Sequence, residues 1–367
     1  MKWKLKKVLD VMESNNIDAL IFTQPSNVTY LIGIPRSSGI VLLVEKNGGV
    51  TALVPALDYW RVVSTAKLSE LVVVPYATYQ LPDIDLRLSE APHSYIPKVL
   101  KERGLVKVAV DNPYGRIVYE VERNLGIKVA DLSESIADLR AIKTHEELEL
   151  MKKALYITEG AVEKALSELK PGVSEKVIAA TIEYYMRLSG ADGLAFESIV
   201  AFGENAAYPH AVVTDRPLRG GDPVVIDVGA QVESYSSDLT RTILVGKVSS
   251  EVRRSVEVVS EAVDAAIDSV YDGAAAEEVD AKARDIVRRA GLGKYFVHSL
   301  GHGVGIEVHE KPRIAQGSKD VLKEGMVITI EPGVYVVGKY GVRIENMVVV
   351  WKGKAEILNR LSKIISI

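Results

Sequence analysis

The first 130 residues alternate short apolar runs with amphipathic segments. Apolar runs of strand length, bounded by turn residues, predict β-strands at Asp18–Phe22, Ile40–Val44, Val50–Val54, Leu71–Val74 and Val106–Val110. Apolar positions at helical spacing predict helices near the start of the chain, at Tyr95–Arg103 and at Ile117–Asn124. This alternation of helices and strands indicates an α/β domain over residues 1–130.

A polar stretch interrupts this pattern, so residues 131–142 are predicted to be a linker and residues 143–367 a second domain. Thr144 followed by Glu147 forms the pattern of a capping box, which predicts the start of a long helix. Further helices are predicted at Ser174–Ser189, Ser249–Tyr271 and Ala276–Ala290, with strands dominating Val327–Ile357. The second domain is therefore expected to be α+β, with helices packed against sheets.

Composition narrows the possible partners. The chain is 47% hydrophobic, which is ample for two cores, and its formal net charge of −4 gives no electrostatic reason to expect nucleic acid or an anionic membrane. Cysteine is absent, which excludes disulfides and thiolate metal sites. The basic start is followed by no apolar signal-peptide core, and no apolar run approaches the length of a membrane span. We therefore expect a soluble cytoplasmic protein.

Four carboxylates and one histidine lie in short, apolar, glycine-punctuated segments of the second domain. They are Asp227, Asp238, His302, Glu331 and Glu345. A carboxylate inside a run of Val and Ile is costly to bury alone, and four close together would repel one another. Divalent cations would relieve both problems, and oxygen-rich ligand sets suit hard or borderline metals. The pattern predicts the site of a two-metal hydrolase.

The first acid pair has the spacing of a hairpin. Asp227 and Asp238 are separated by 11 positions and flank a polar stretch that can turn, with their midpoint between Val232 and Glu233. A symmetric hairpin would set the two acids directly opposite each other. Their Cβ atoms would then lie about 4.5–5.5 Å apart on one face.

The second acid pair has similar spacing. Glu331 and Glu345 are separated by 14 positions, and their midpoint is Gly338. The sequence therefore predicts two hairpins that each present a pair of acids. His302 adds a nitrogen ligand from a glycine-rich segment whose backbone can approach closely.

This ordered set resembles the metallopeptidase family of prolidases and aminopeptidases P. The intervals of 11, 64, 29 and 14 residues are similar to those of archaeal-type prolidases, and the flanking segments Gly301–Glu310 and Gly325–Gly333 match as well. The resemblance covers essentially the whole chain. It implies a C-terminal catalytic domain of the pita-bread fold (creatinase/aminopeptidase-like), preceded by a smaller α/β N-terminal domain of the creatinase type.

The resemblance also implies a ligand set for two divalent metal ions per subunit. Asp238 and Glu345 would bridge the ions, Asp227 would chelate one, and His302 with Glu331 would complete the other. Mn²⁺ or Co²⁺ is the first expectation, with Zn²⁺ or Fe²⁺ as alternatives, because Asp, Glu and His accommodate all four.

Four residues are expected to act on the substrate. His210 and His309 resemble the substrate-site histidines of the family, and Arg313 resembles the arginine that holds a dipeptide's C-terminal carboxylate. Glu331 would shuttle a proton between the attacking water and the leaving nitrogen. A second histidine often follows the first in the family, whereas this chain has Ala211.

The implied function is hydrolysis of the Xaa-Pro bond of dipeptides by a hydroxide that bridges the two metal ions, in a homodimer. Aminopeptidase P activity on longer Xaa-Pro peptides is the alternative. Non-catalytic binding modules of the same fold are a more distant one, although these typically lose metal ligands and none of the five is missing here.

Overall fold

The structure is a computed structural model that describes residues 2–79, 81, 84 and 88–367. The chain folds into two compact units, Met1–Arg140 and Ala141–Ile367. In the part of the chain that is described, no helix is both long and apolar enough to cross a lipid bilayer.

The first unit consists of a mixed sheet and its helices. The helices are α1 (Lys2–Ser14), α2 (Pro25–Ile32), α3 (Tyr59–Thr65), α4 (Pro92–Glu102), α5 (Arg116–Leu125) and α6 (Ser133–Ala141). The strands are β1 (Ala19–Phe22), β2 (Val41–Glu45), β3 (Val50–Pro55), β4 (Leu71–Tyr76), β5 (Val108–Val110) and β6 (Ala130–Asp131).

The sheet order is β4-β3-β2-β1-β5-β6, and both faces of the sheet are buried. Alternation along β1 shows why: Leu20 and Phe22 enter a core with α1, whereas Ile21 enters a second core with Ile96 of α4. Helices on both faces confirm the α/β prediction for this region. All five predicted strands are present, with ends shifted by one or two residues.

Residues 131–142, which we predict to be a linker, instead contain a helix. Leu132 and Ile136 are buried in the core of the first unit. The polar residues that suggest a loop form the start of α6, where the Asp131 carboxylate accepts a hydrogen bond from the Ser133 amide at 2.9 Å. A capping sequence and a loop have the same polar composition, which is why the two are confused.

The second unit has four α-helices in the described chain and several small sheets, which are antiparallel except where β20 pairs parallel with β12. The helices are α7 (His145–Leu166), α8 (Glu175–Leu188), α9 (Ser250–Ile267) and α10 (Ala276–Arg289). The strands are β7 (Gly193–Leu194), β8 (Ile199–Phe202), β9 (Pro223–Val228), β10 (Ala230–Val232), β11 (Tyr235–Ser236), β12 (Leu239–Leu244), β13 (Gly301–Gly303), β14 (Glu310–Ile314), β15 (Val327–Ile330), β16 (Gly333–Val336), β17 (Tyr340–Arg343), β18 (Asn346–Val349), β19 (Glu356–Ile357) and β20 (Ile364–Ser366).

The predicted capping box begins α7. The Thr144 hydroxyl accepts a hydrogen bond from the Glu147 amide at 3.4 Å, and the Glu147 carboxylate accepts one from the Thr144 amide at 2.9 Å. Two amide groups that the helix cannot satisfy itself are thereby paired. The prediction of this helix start is confirmed.

Helices α9 and α10 support the sheet that leads into the second acid pair. Val256 and Val263 of α9 and Val279 of α10 share one buried core with Ile328 and Val348. Close packing of this kind holds the ends of β15 and β18 in place.

The predicted register of the first hairpin is wrong by two positions. Asp227 lies opposite Thr240 rather than Asp238. The tip consists of Glu233 and Ser234, whose φ values of 48° and 72° are both left-handed, as a two-residue hairpin turn requires. The tip is therefore one residue later than predicted. Because strand faces alternate with a period of two, Asp227 and Asp238 still share a face, as diagonal neighbours.

The predicted register of the second hairpin is correct. Ile330 pairs with Asn346 and Gly333 pairs with Arg343, so the same register runs through both ladders. It brings Glu331 level with Glu345 where the two strands leave one sheet and enter the next. Gly338 lies in the turn with a φ of 75°.

Candidate active site

One cavity of the second unit, about 820 Å³ in volume, brings together every side chain that the sequence singles out. The lining includes Asp227, Asp238, His302, Glu331, Glu345, His210, His309 and Arg313. One ligand atom each from Asp238, His302 and Glu345 lie within 4.8 Å of one another. Side chains from five separate segments of the sequence thus converge on a single volume.

His302 directs one ring nitrogen at the acids. Its Nε2 lies 3.3 Å from Glu331 Oε1 and 3.6 Å from Asp238 Oδ2. Its Nδ1 lies 3.1 Å from the Gly303 carbonyl oxygen, which favours the tautomer with the proton on Nδ1. When the ring is neutral, that tautomer leaves a lone pair on Nε2, whereas in the protonated ring Nε2 carries a hydrogen that it can donate to Glu331. A Cβ atom on Gly301 would collide with the Thr329 carbonyl, so only glycine lets the strands approach this closely.

Burial and mutual repulsion disfavour ionisation of three of the acids. Burial, and then the charge of Glu345, raise the pKa of the Asp238 carboxyl well above its usual range. Burial, and then the charges of Glu331 and Asp227, raise the pKa of Glu345 to about 8. Burial also raises the pKa of Asp227, although Arg343 opposes that shift.

Glu331 differs from the other three acids of the cluster, because its pKa is lowered by His302. Burial opposes ionisation of Glu331, but the hydrogen bond and charge of His302 outweigh it and lower the pKa of this carboxyl. Burial likewise opposes protonation of His302, and Glu331 outweighs it to raise the pKa of the imidazole. The pair behaves as a charge-assisted hydrogen bond.

Two buried carboxylate oxygens accept no hydrogen bond from any residue that the structure describes. They are Oδ1 of Asp227 and Oε1 of Glu345. Unsatisfied buried oxygens cost free energy, and their presence in a functional cluster indicates a missing partner. Divalent cations fit this requirement, because carboxylate oxygens and an imidazole nitrogen are ligands that they accept.

Arg343 is a buried cation beside the acids, and it is not among the site residues predicted from the sequence. Its guanidinium pairs with Asp227 Oδ2 and donates to the Thr240 hydroxyl at 3.1 Å. It also donates to the Tyr335 hydroxyl at 2.7 Å and to the Pro209 carbonyl at 3.2 Å. Arg343 therefore fixes which oxygen of Asp227 remains available to a metal.

Tyr335 connects this arginine to His298. The Tyr335 hydroxyl lies 3.0 Å from His298 Nε2, and burial raises its pKa to about 12. Burial lowers the pKa of His298, and its Nδ1 lies 2.7 Å from the Ser299 carbonyl. The result is a chain of hydrogen bonds from His298 through Tyr335 and Arg343 to Asp227.

The two-residue periodicity of β-strands is the sequence pattern by which these supporting residues could be predicted. Arg343 precedes Glu345 by two positions, and Thr329 precedes Glu331 by two. Thr240 likewise follows Asp238 by two, and its hydroxyl donates to Glu345 Oε2 at 2.7 Å. Positions two apart share a strand face, so polar residues at this spacing from a predicted ligand are candidates for its support.

The three predicted substrate residues are more exposed than the acids that line the same cavity. The His309 ring packs edge-on against His302, with centroids 4.3 Å apart. Partial burial, and then His302, lower the pKa of His309. His210 and Arg313 are exposed, and neither side chain donates or accepts a hydrogen bond within the described chain. Groups of this kind remain available to a substrate.

Comparison with known proteins gives matches over both units. Residues 149–352 match Metallopeptidase family M24, and residues 4–142 match the Creatinase/Prolidase N-terminal domain. An Xaa-Pro dipeptidase from Pyrococcus furiosus is 38% identical to this chain, over 99% of each.

Two solved structures show the same architecture. The prolidase from Pyrococcus horikoshii has a TM-score of 0.86 at 35% identity, covering 98% of this chain and 99% of that one. The X-Pro aminopeptidase from Thermotoga maritima has a TM-score of 0.88 at 29% identity, covering 99% of each.

The fold and the converging acids define a metal-dependent hydrolase, whose pita-bread catalytic domain follows a creatinase-type N-terminal domain along the chain. More specifically, the chain belongs to the metallopeptidase family of the prolidases. Both the fold and the family expected from the sequence are confirmed. Membership implies that the enzyme uses divalent metal ions.

Proposed function

We propose that the protein is an Xaa-Pro dipeptidase that holds two divalent metal ions. The observation that carries this proposal is the convergence of five candidate metal ligands, with two unsatisfied buried oxygens among them, in the cavity lined by His210, His309 and Arg313. Relatives named Xaa-Pro dipeptidase, which match along the full chain, support the choice of substrate.

Asp227, Asp238, His302, Glu331 and Glu345 would hold the two ions. Divalent ions, when bound, supply Lewis acidity that activates water and polarises a carbonyl group. The residues then have to keep their oxygens and the His302 nitrogen in place. Arg343 does so for Asp227, and the Thr240 hydroxyl does so for Glu345.

Glu331 is the proposed proton carrier. His302 lowers the pKa of this carboxyl, so it is ionised at neutral pH and can accept a proton from water. It would then deliver that proton to the nitrogen that leaves as the peptide bond breaks. This delivery is needed because a deprotonated nitrogen is a very poor leaving group, and the proton becomes the N–H of the released proline.

The exposed residues of the cavity are proposed to bind the dipeptide. His210 and His309 would donate hydrogen bonds to the scissile carbonyl, where negative charge develops. Arg313 would pair with the C-terminal carboxylate of proline, for which a planar guanidinium is suited. A substrate extended beyond proline has no carboxylate at this point.

Aminopeptidase P activity remains the second candidate. The structural similarity to the Thermotoga maritima X-Pro aminopeptidase favours it. So does a cavity of about 820 Å³, which has space for more than two residues. Assembly as a homodimer and a cytoplasmic location are further proposals, which are based on the family.

The test is steady-state hydrolysis of Met-Pro and of a Met-Pro-Xaa tripeptide, by metal-stripped enzyme resupplied with Mn²⁺ or Co²⁺. We expect cleavage of the dipeptide and little cleavage of the tripeptide. Arg313→Ala should raise the KM for Met-Pro about 10- to 100-fold, because a charge-assisted contact contributes about 1.5–3 kcal/mol. Lys319→Ala, at another exposed cation nearby, is the matched control and should leave the KM unchanged.

Preferential cleavage of the tripeptide would assign aminopeptidase P activity and leave Arg313 without its proposed role. Absence of metal-dependent cleavage of both peptides would contradict both candidates.

A further inference from the structure

Glu175 is a fully buried carboxylate outside the cavity, on the first turn of α8. Its Oε1 accepts hydrogen bonds from the Phe202 amide at 2.8 Å and from Asn205 Nδ2 at 2.9 Å. Its Oε2 accepts from the Thr214 amide at 2.9 Å, from the Thr214 hydroxyl at 2.6 Å and again from Asn205 Nδ2 at 2.9 Å. Both oxygens are saturated with donors.

These partners enclose the segment that carries His210. Phe202 ends β8 before the segment, and Thr214 follows it. One carboxylate therefore closes both ends of residues 202–214 into a loop. The same Asn205 amide also donates to the Val212 carbonyl within the loop at 3.2 Å.

The position of His210 depends on this backbone. Its imidazole makes no hydrogen bond to any described residue, so its own side-chain contacts do not fix it. The carbonyl directly before it, that of Pro209, accepts from Arg343 at 3.2 Å. Glu175 and Arg343 thus hold the loop from two sides.

The chemistry of the partners requires a carboxylate. The Phe202 amide, the Thr214 amide and Asn205 Nδ2 can only donate, and a carboxylate offers only acceptors. A glutamine at position 175 would direct an NH2 group at either the Phe202 or the Thr214 amide, whichever way its side chain is turned. One end of the loop would then be released.

We propose that Glu175 is a positioning residue, which sets the place of the His210 imidazole in the cavity by closing the 202–214 loop. The inference rests on the proposed function, because it assumes that His210 donates to the scissile carbonyl. Glu175 does not line the cavity and acts only through the loop.

The test is a double-mutant cycle between Glu175→Gln and His210→Ala, measured on Met-Pro with metal-loaded enzyme. Displacement of a catalytic donor by about 1 Å can cost about 100-fold in rate, so we expect Glu175→Gln to lower kcat about 10- to 100-fold. KM and the bound metal content should hardly change, because the metal ligands are untouched. In the His210→Ala background the further loss should be below about twofold, as expected for residues that act together.

Glu183→Gln on the same helix is the matched control, since no hydrogen bond of Glu183 to the described residues of the loop is observed, and it should behave as wild type. Should Glu175→Gln fail to fold, Thr214→Val replaces it. This variant removes one of the hydrogen bonds to the carboxylate at an exposed position, and its smaller loss of kcat should also vanish in the His210→Ala background.

Hydrogen–deuterium exchange provides a readout that does not depend on the substrate. Amides of residues 203–213 should exchange faster in Glu175→Gln, while those of β9 and β15 should not. Unchanged exchange, or an equal loss of kcat with and without His210, would overturn the proposal. If the wild-type enzyme does not cleave Met-Pro but Glu175→Gln still accelerates exchange at residues 203–213, the positioning role would stand. The proposed function would then be refuted.

Discussion

Arg343 has the burial and the hydrogen bonds of a charged residue on which the site depends. It is buried, it bonds to groups on four separate segments, and one of these groups is the predicted metal ligand Asp227. The guanidinium provides several donors in one plane, whereas a lysine ammonium is a compact point charge on a flexible stem. Replacement by lysine keeps the charge and loses the geometry.

We therefore expect Arg343→Lys to reduce metal affinity or kcat/KM about 10- to 100-fold, which is the range for residues that orient metal ligands. Metal retained after dialysis and hydrolysis of Met-Pro measure the two effects. Arg219→Lys, at an exposed arginine of the same unit, should change neither. Wild-type metal retention and turnover in Arg343→Lys would show that the charge alone is sufficient.

The candidate ligands are predicted from the sequence, whereas the residues that support them are not. An acid in an apolar strand is conspicuous because its burial is costly, whereas a threonine there is ordinary. Thr240 and Thr329 gain significance only once the register shows which carboxylates they face. Arg343 was detectable in principle, as a charge inside the apolar run Val342–Ile344.

At the scale of single elements, the start of α7 depends on a reciprocal pair of hydrogen bonds between Thr144 and Glu147. Thr144→Ala removes the hydroxyl acceptor for an amide that the helix cannot satisfy. We expect it to lower the free energy of unfolding by about 1 kcal/mol, the usual cost of losing such a cap. Urea denaturation measures the change.

Thr144→Ser is the matched control, since it keeps the hydroxyl, and it should retain most of the stability. Equal destabilisation by serine and alanine would indicate that the threonine methyl group, and not the cap, is responsible.

Most helices and strands can be predicted from the sequence, whereas the pairing of the strands can be predicted only in part. Strands such as β2 and helices such as α10 follow directly from apolar spacing. The predicted register of the hairpin between Glu331 and Glu345 is correct because a glycine marks its tip. The predicted register of the first hairpin is wrong by two positions because Glu233 and Ser234 adopt left-handed conformations that their residue types do not indicate.

For the whole molecule, the acid cluster is a source of instability whenever metal is absent. The pKa of Glu345 is raised from 4.5 to about 8, so the folded state holds this proton more tightly than the unfolded state does. This stabilisation of the folded state is fully present when the pH is below the ordinary pKa of 4.5, and it is lost as the pH rises towards 8. The raised pKa values of Asp238 and Asp227 act in the same direction.

Metal-free protein should accordingly have a lower Tm at pH 8 than at pH 5.5, and the decrease should be smaller in Glu345→Gln. Adding Mn²⁺ at pH 8 to about 100 times its Kd should restore about 2.7 kcal/mol for each ion that binds. Differential scanning calorimetry with and without the ion tests both statements. A Tm that is independent of pH in the metal-free protein would contradict the raised pKa values.

The division of the chain was harder to predict than the classes of its two parts. Apolar periodicity predicts an α/β class for the first region and an α+β class for the second, because the class of a region depends on local patterns. The end of the first unit depends instead on Leu132 and Ile136 packing onto a sheet formed far earlier in the chain. The helical spacing of Leu132, Ile136 and Leu139 indicates this helix, but the polar residues between them also suit a connecting segment.

The tip at Glu233 and Ser234 places a constraint on how this hairpin can change length during evolution. Asp227 and Asp238 meet on one face only because the residues between them keep their parity. An insertion of one residue within an arm would turn Asp238 to the opposite face, whereas an insertion of two would restore it. Relatives that keep both acids should therefore vary in length at the tip, or by even numbers of residues within the arms.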